Sequence, residues 1–219
     1  GPGIRWREFL GCPWMAGCLF LDDEGRVWGT SAFLTLHLLD EPQWERASSC
    51  GRGRCFSTEE GVMECSWYSS PGPPVRLEQV SDFIVQFGGE QGNTTGDASG
   101  HCYVCAQRTD GSVNCWGEPP VEGLWSENQQ TPVAGLENVR RLWQGGASAY
   151  ATLESGELVS INRIGCADDA PAGRPCGVPG IRNPIAVAGG QEHGCALDAE
   201  HQLHCWGSNE FGQLGPAGP

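Results

Sequence analysis

The chain of 219 residues contains no lysine, and its 13 basic residues are all arginine. Without lysine, the protein cannot form a Schiff base, attach pyridoxal phosphate or build a lysine-containing phosphate loop. The 27 acidic residues give a net charge of −14. The densest basic clusters, at residues 5–7, 52–54 and 140–141, hold two arginines each, whereas nucleic-acid binding requires a substantial basic patch. We therefore predict no nucleic-acid partner.

Long apolar runs are also missing. No stretch of eighteen apolar residues occurs, so we predict no membrane span. No helix pattern of useful length is present, although residues 33–39 form an apolar run that fits either a strand or a short helix. The chain lacks the nucleophile-elbow, zinc-protease, phosphate-loop and calcium-loop motifs. We therefore expect no enzyme activity, no catalytic residues, no metal and no cofactor.

A repeat is present instead. Two cysteines ten residues apart bracket a turn residue at 55/65, 105/115 and 195/205. With that turn residue as the marker, five copies occur, at Gly25, Gly61, Gly111, Gly156 and His201. A fixed period near 45 residues is the signature of a repeat architecture. The approximate units are residues 1–40, 41–76, 77–134, 135–179 and 180–219, which we expect to form a single domain over 1–219.

Each unit has the pattern of a β-hairpin. In the last unit, Cys195 would lie opposite Cys205, Ala196 opposite His204 and Leu197 opposite Leu203. The marker residue is then the turn position that requires a left-handed conformation, which glycine adopts readily and histidine tolerates. The apolar stretches 136–143 and 181–188 would each supply one further strand. Repeats of three or four short strands predict an all-β chain and a β-propeller.

Residues 190–197 (GQEHGCAL) and 205–215 (CWGSNEFGQLG) resemble the repeat of the regulator-of-chromosome-condensation family. The resemblance is specific in the last 40 residues and weak elsewhere. It implies a β-propeller, commonly seven-bladed, so five units predict either a small ring or a fragment of a larger propeller. The dense cysteines are similar to those of an exported, disulfide-rich, bacterial-type member. The lack of an initiator methionine fits a processed chain, and export would require a leader that has been removed.

Twelve cysteines favour disulfides over metal. Opposed cysteines in a hairpin are close enough to bond, and each ten-residue loop is worth about 2.5–3 kcal/mol in the chain-entropy model. We expect Cys55–Cys65, Cys105–Cys115 and Cys195–Cys205, a loop-pinning Cys166–Cys176 and a local Cys12–Cys18. An interblade bridge between Cys50 and Cys102 is conceivable. Only Cys102 and Cys105 have the spacing of a zinc knuckle, so zinc is the weaker alternative. Paired cysteines indicate an extracellular, periplasmic or cell-surface location.

Two segments interrupt the repeat, at residues 88–100 and 118–135, and insertions in repeat proteins often carry binding sites. The candidate partner-binding residues are Asn93, which begins a glycosylation sequon, and Asp97, together with Trp125 and Glu127. The acidic turn at residues 22–24 and the pair Asp168 and Asp169 could bind cations, but we expect these side chains to be solvated. Trp28, Trp116 and Trp206, near strand ends, should pack between blades.

The predicted function is a non-catalytic protein-interaction module: an exported propeller that binds another protein through its loop-bearing face. The resemblance also implies a different possibility, since the family includes exchange factors for small GTPases. A hydrolase or lyase is a third hypothesis, and it requires titratable side chains that converge in one concave site. A fourth is a glycan-binding surface built around Trp125.

Overall fold

The structure is a computed structural model that describes residues 5–11, 19–30, 36–40, 44–50, 53–67, 75–88, 101–117, 132–145, 148–161, 163, 165–167, 170, 174–190 and 192–215. These residues form strands and turns, as predicted, and include no helix long and apolar enough to span a membrane. The chain folds as two compact units, residues 1–80 and 81–219. The single domain expected from the repeat stays a prediction.

The first unit contains two four-stranded antiparallel sheets. Sheet I comprises β1 (Trp6–Gly11), β2 (Leu19–Asp22), β3 (Val27–Thr30) and β4 (Leu36–Asp40). Sheet II comprises β5 (Arg46–Cys50), β6 (Gly53–Ser57), β7 (Met63–Trp67) and β8 (Val75–Leu77). The strands of each sheet pair in chain order, which is the meander expected of a propeller blade.

The second unit contains three sheets of the same kind. Sheet III comprises β9 (Val80–Gly88), which begins at the last residue of the first unit, β10 (His101–Arg108) and β11 (Val113–Gly117). Sheet IV comprises β12 (Val139–Gly145), β13 (Ser148–Leu153), β14 (Glu157–Ser160) and β15 (Cys176–Arg182). Sheet V comprises β16 (Ala186–Gly189), β17 (His193–Leu197) and β18 (Leu203–Gly207).

One hairpin turn in each sheet has the predicted left-handed residue. The φ angle is +75° at Gly25, +77° at Gly61, +80° at Gly111, +83° at Gly156 and +62° at His201. The backbone N–H of this residue donates to the carbonyl three residues earlier, as from His201 N to Asp198 O at 3.1 Å. The repeat marker chosen from the sequence is therefore a recurring backbone conformation.

The hairpin register follows the cysteine spacing. Cys55 lies opposite Cys65, Cys105 opposite Cys115 and Cys195 opposite Cys205, each with a Cα–Cα distance of 4.1 Å and a disulfide. Ala196 faces His204 and Leu197 faces Leu203, as predicted. In the two other sheets the same register holds the pairs Leu19–Gly29 and Tyr150–Ser160. A fourth disulfide joins Cys166 to Cys176, the first residue of β15, with a Cα–Cα distance of 5.7 Å.

Two strand expectations require correction. The run 181–188 is not one strand, because β15 ends at Arg182 and β16 begins at Ala186. Asn183 between them has a φ of +47° and Pro184 has no N–H to donate to a ladder, so the chain turns here from one sheet to the next. In the run 136–143, the strand starts only at Val139. The described part of the run 33–39 belongs to the strand β4.

Within each unit, the core lies between consecutive sheets. In the first unit, Leu21 and Val27 of sheet I cluster with Trp44 and with Phe56 of sheet II. In the second unit, one cluster joins sheets III and IV, and another joins sheets IV and V. Tyr150 and Trp206 meet edge-on in the latter, with ring centroids 5.4 Å apart. This contact confirms that Trp206 packs between sheets. The described ring contacts of Trp28, by contrast, are with Trp6 and Arg26 of its own sheet.

Candidate functional site

The antiparallel order gives each sheet two different ends. In sheet III, the connection from β9 to β10 (residues 89–100) and the segment that follows β11 (residues 118–131) depart from the same end. We call this the loop end. The tight turn between β10 and β11 lies at the opposite end, which we call the turn end. Both interruptions of the repeat therefore attach to the loop end of sheet III.

Most of the predicted partner-binding and local cysteine sites fall in these and similar connections. Asn93, Asp97, Trp125 and Glu127 lie outside the described residues, as do Cys12 and Cys18. Cys50 lies in β5 and Cys102 in β10, but their side chains are not among those described. The roles and pairings assigned to these residues stay predictions.

The turn end carries acidic side chains in every sheet. Carboxylates occur in or beside all five hairpin turns, at Asp22, Asp23 and Glu24, at Glu59 and Glu60, at Asp110, at Glu154, and at Asp198 and Glu200. Turns are solvent-exposed positions, and most of these side chains are exposed accordingly. Asp22 is the clear exception.

Asp22 is fully buried, with 0 % of its surface exposed. Its Oδ1 accepts hydrogen bonds from the backbone N–H groups of Glu24 (3.0 Å) and Arg26 (2.9 Å). Its Oδ2 accepts from Arg26 Nε (2.8 Å) and from Trp28 Nε1 (2.7 Å). Burial opposes ionisation, but these hydrogen bonds outweigh it and hold the pKa of Asp22 below its ordinary value. The expectation of a fully solvated acidic turn is therefore wrong for this residue.

Asp198 makes the corresponding network in sheet V. Its Oδ1 accepts from the backbone N–H of Gln202 at 2.8 Å, and its Oδ2 lies 2.7 Å from Nε2 of His204. The hydrogen bond to His204, followed by that from Gln202, lowers the pKa of Asp198. In both turns, the carboxylate fixes the backbone four residues on and a ring nitrogen six residues on.

A concave site lies at the turn end of the first unit. It is an open cleft of about 890 Å³ between the hairpin turns of sheets I and II. Its lining residues are Arg7, Asp23, Glu24, Gly25, Arg26, Trp44, Glu45, Thr58, Glu59 and Glu60. The segment before β5 joins the two hairpins, since Trp44 N donates to Gly25 O at 2.9 Å and Glu45 N donates to Ser57 O at 2.8 Å. We call this site the acidic cleft.

Negative charge exceeds positive charge in the acidic cleft. Five carboxylates and two guanidinium groups line it. Arg26 is already engaged, since its Nε contacts Asp22 at 2.8 Å and its Nη1 contacts Glu24 at 2.7 Å. The hydrogen bond to Asp22 raises the pKa of Arg26. The four other carboxylates, Asp23, Glu45, Glu59 and Glu60, take part in no ion pair within the described residues.

A buried indole also lines the acidic cleft. Trp44 is only 5 % exposed, and its ring packs on Phe56 with centroids 5.2 Å apart. Its Nε1 is buried without a hydrogen-bond partner among the described residues. A buried N–H left unpaired costs free energy, and this nitrogen is itself shielded from the solvent in the cleft.

The second unit has a smaller cleft at its turn end, about 400 Å³ in volume, between the turns of sheets III and IV. Among the described residues, its acidic lining consists of Asp110 and Glu154, and Arg108 offsets one of them. The buried Gln107 donates from Nε2 to Val139 O at its wall. This site has the same location relative to its sheets as the acidic cleft, but lacks its excess of charge.

The chemistry of the acidic cleft is that of charge pairing. Among the described residues, no three carboxylate, imidazole or thiolate groups lie close enough to hold a metal ion. Thr58 contributes a hydroxyl to the described lining, and this hydroxyl accepts a hydrogen bond from Val62 N at 3.4 Å. The cleft thus collects separated negative charges without a nucleophile activated by a neighbouring base.

Residues 185–213 match the regulator of chromosome condensation (RCC1) repeat. This segment contains β16, β17, β18 and the Asp198 network. These residues carry an RCC1-type repeat. No curated protein matches the sequence significantly. The family recognised from the residues of the last unit is therefore the one that the comparison supports.

Solved RCC1-type and other propeller structures share the fold. Human WBSCR16 matches with a TM-score of 0.63 and 18 % identity over 91 % of this chain and 61 % of its own. Prp20p from Saccharomyces cerevisiae, described with its binding to Gsp1p and histones, matches with a TM-score of 0.63 and 15 % identity over 92 % of this chain and 57 % of its own. The ectodomain of the Physcomitrella patens receptor kinase CR4 matches with a TM-score of 0.61 and 16 % identity over 96 % of this chain and 54 % of its own. The chain thus spans 54–61 % of the lengths of these structures. The β-propeller prediction is confirmed.

The acidic cleft was missed at the level of sequence. Its lining comes from four separate segments, at residues 7, 23–26, 44–45 and 58–60, which only the packing of two sheets brings together. One signal was available: the hairpin turns of the first two units hold five carboxylates within eight turn positions. Without knowledge of which turns are neighbours, that signal does not locate a cleft.

Proposed function

We propose that this RCC1-type propeller is a non-catalytic protein-interaction module that is exported and binds another protein through its loop end. The observation that carries the proposal is topological: both interruptions of the repeat attach to the same end of sheet III. Rigid strands that present loops at one end are the common design of binding proteins. Trp125, Glu127, Asn93 and Asp97 are the proposed contact residues.

The cysteines support the compartment. The described residues include four disulfides, and three of them cross-link hairpins whose strands are already paired. Disulfides of this kind persist in oxidising compartments. We propose an extracellular, periplasmic or cell-surface location. Non-reducing peptide mapping of the native protein tests this, since free thiols at Cys105 and Cys115 would contradict export and favour the intracellular exchange-factor alternative.

The kind of partner follows from charge. Prp20p is described as binding Gsp1p and histones, but the present chain is 15 % identical to it and these partners are not transferred. A net charge of −14 repels nucleic acid and favours a protein with a basic surface. We propose a protein partner and no nucleic-acid partner.

The experiment compares two ends of the molecule. Proteins that this chain retains from extracellular and surface fractions would be identified first. The affinity of the purified partner would then be measured for wild type, for Trp125→Ala and for a variant with residues 121–130 replaced by a Gly/Ser linker. We expect both changes to weaken binding at least about tenfold, as for a buried aromatic anchor. Glu200→Gln, at a turn of sheet V, is the control. Unchanged affinity in both loop variants would refute the loop-end assignment.

A further inference from the structure

One apolar position of the repeat differs in exposure between the last sheet and the others. The position lies two residues after the turn marker, at the start of the third strand. Its side chain is 0 % exposed at Val27, Met63, Val113 and Leu158. The equivalent residue of sheet V, Leu203, is 69 % exposed. A single exposed leucine is ordinary on a protein surface, but this one occupies a core position of the repeat.

Where this position is buried, residues at the start of the next repeat help to cover it. Val27 clusters with Trp44, which lies just before β5, and Val113 clusters with Val139, the first residue of β12. Val139 N also donates to O of the preceding turn marker, Gly111, at 2.8 Å, as Trp44 N does to the marker of sheet I. These junctions between sheets therefore combine an apolar contact with a backbone hydrogen bond.

Sheet V carries one half of such a junction. Leu203 supplies the apolar side chain, and the turn marker His201 supplies the carbonyl. Within the described part of the chain, no group donates a hydrogen bond to His201 O. We call His201 and Leu203 the open face of sheet V.

Sheet I carries the other half. Trp6 lies opposite Asp22, three residues before the turn marker of its sheet. Val139 lies opposite Leu153, which is also three residues before a turn marker. Trp6 thus stands at the position of a covering residue. Trp44 and Val139 are 5 % and 2 % exposed, whereas Trp6 is 47 % exposed. We call Trp6 the open face of sheet I.

We propose that the two open faces form an interface between copies of this chain, in which Trp6 of one copy covers Leu203 of a second copy. Trp6 N of the first copy donates to His201 O of the second. Both residues are exposed in the single chain, so a second copy supplies the half that each face lacks. The interface continues the packing that already joins consecutive sheets within each unit. Because two different surfaces meet, the copies associate head to tail.

The side chain of Trp6 is held in place before association. Its ring packs against Phe20, with centroids 5.2 Å apart, and meets Trp28 edge-on at 6.3 Å. An aromatic side chain that its own sheet already orders loses little conformational freedom when it is covered. Such residues are the usual anchors of protein interfaces.

Sedimentation velocity of the full chain tests the association over a wide range of concentration. High ionic strength is used, because it screens the net charge of −14 on each copy. We expect wild type to form species larger than the monomer as concentration rises. Leu203→Asp should weaken this association at least about tenfold, as for a residue at the centre of an interface.

Ile185→Asp is the matched control, since Ile185 is a 45 % exposed apolar residue next to β16 of the same sheet. It introduces the same charge and should change the association less than about twofold, as for a residue outside the interface. A wild type that is monomeric at every concentration would overturn the proposal. Equal losses in the two variants would do the same, because added charge alone would then explain them.

A binding titration tests the head-to-tail direction. Fluorescently labelled Leu203→Asp keeps the open face of sheet I, so it should bind unlabelled wild type with wild-type affinity. Labelled Leu203→Asp/Trp6→Ser lacks both faces and should bind at least about tenfold more weakly. If labelled Leu203→Asp does not bind wild type, the pairing of Trp6 with Leu203 is wrong. Urea unfolding checks that the double variant folds, and the single variant decides the direction by itself.

Discussion

Asp22 and Asp198 occupy the same position of their hairpin turns, and each holds a backbone N–H four residues on and a ring nitrogen six residues on. The ring belongs to Trp28 in sheet I and to His204 in sheet V. In both sheets, one carboxylate thus ties the turn to the strand that follows it. The two differ in burial, since the side chain of Asp22 is 0 % exposed and that of Asp198 is 19 % exposed.

Asp22→Ala should destabilise the protein strongly. The change leaves the indole N–H of Trp28 and two backbone N–H groups without their acceptor, and it removes one of the two carboxylates that pair with Arg26. Because Asp22 is fully buried, we expect a loss of about 3 kcal/mol in the free energy of unfolding. Urea unfolding at pH 7 measures it. Glu59→Ala, an exposed carboxylate of the neighbouring turn, should change the free energy by less than about 0.5 kcal/mol.

The Asp22 network should also make stability fall in acid. Its folded-state pKa lies below the ordinary value, so its contribution is complete above about pH 4 and disappears as pH falls through the folded-state pKa. Asp22→Asn should therefore be less stable than wild type at pH 7, and the difference should shrink at pH 3. A difference that stayed constant between these two pH values would show that the carboxylate charge contributes nothing.

His204→Ala should raise the pKa of Asp198 towards its ordinary value. The hydrogen bond with His204 is the largest cause that lowers this pKa, and the bond from Gln202 remains in the variant. Carbon-detected NMR titration of the aspartate side chains measures the shift. His193→Ala in the same sheet serves as the control, and a similar shift there would contradict a direct effect of the ring at 204.

Gly61→Ala should cost more than Gly212→Ala, although both glycines have almost the same φ, +77° and +76°. A Cβ at residue 61 would lie 2.8 Å from Val80 O, whereas nothing lies within 4 Å of one at residue 212. The left-handed conformation alone accounts for about 1–2 kcal/mol in each variant. We expect at least about 1 kcal/mol more at residue 61, measured by urea unfolding. Equal losses would mean that only the turn conformation matters.

Cys105→Ala/Cys115→Ala should lower the free energy of unfolding by about 2.5–3 kcal/mol, as expected for a ten-residue loop. Thermal unfolding with and without a reductant checks this, because the variant should resemble the reduced state of that bridge. A stability equal to that of the oxidised wild type would show that strand pairing alone sets this hairpin.

Tyr150→Cys/Ser160→Cys should form a new disulfide, since these residues face each other in the register that holds cysteines in three other sheets. The bridge would not compensate for the lost contact of Tyr150 with Trp206, because deleting a buried aromatic costs about 3–5 kcal/mol. We expect a bridged protein of lower stability. Non-reducing peptide mapping and urea unfolding measure the two outcomes, and a free thiol at both positions would contradict the register argument.

The sequence was sufficient for the hairpins. Side chains on facing strands alternate with a period of two, so Cys195 opposite Cys205 fixes the partners of Ala196 and Leu197 as well. The left-handed turn residues were predictable because glycine, which adopts that conformation readily, stands at the marker position in four of the five units. The prediction of one strand over the run 181–188 was wrong, because the apolar pattern continues across Asn183 and Pro184, where the backbone passes from one sheet to the next.

The acidic cleft could not be predicted in this way. Its walls come from residues far apart in the chain, and the burial of Trp44 depends on its contact with Phe56 of another segment. The burial of Asp22 likewise depends on two side chains that fold over it. An alignment of the repeats contains part of this information, since Asp198 and His204 align with Asp22 and Trp28. It does not reveal which of the two carboxylates is buried.

Backbone hydrogen bonds at the turn end join each of three hairpin turns to the start of the next repeat. Gly25 O accepts from Trp44 N at 2.9 Å, Gly111 O from Val139 N at 2.8 Å and Gly156 O from Asn183 N at 2.7 Å. The last bond uses Asn183 because Pro184, which stands where the preceding repeat has Val139, has no N–H. Neighbouring repeats are thus held in a fixed alignment by hydrogen bonds between backbone groups. Almost any side-chain substitution leaves these backbone groups in place. The connections at the opposite end can therefore change in length and in composition without altering the alignment of one repeat with the next.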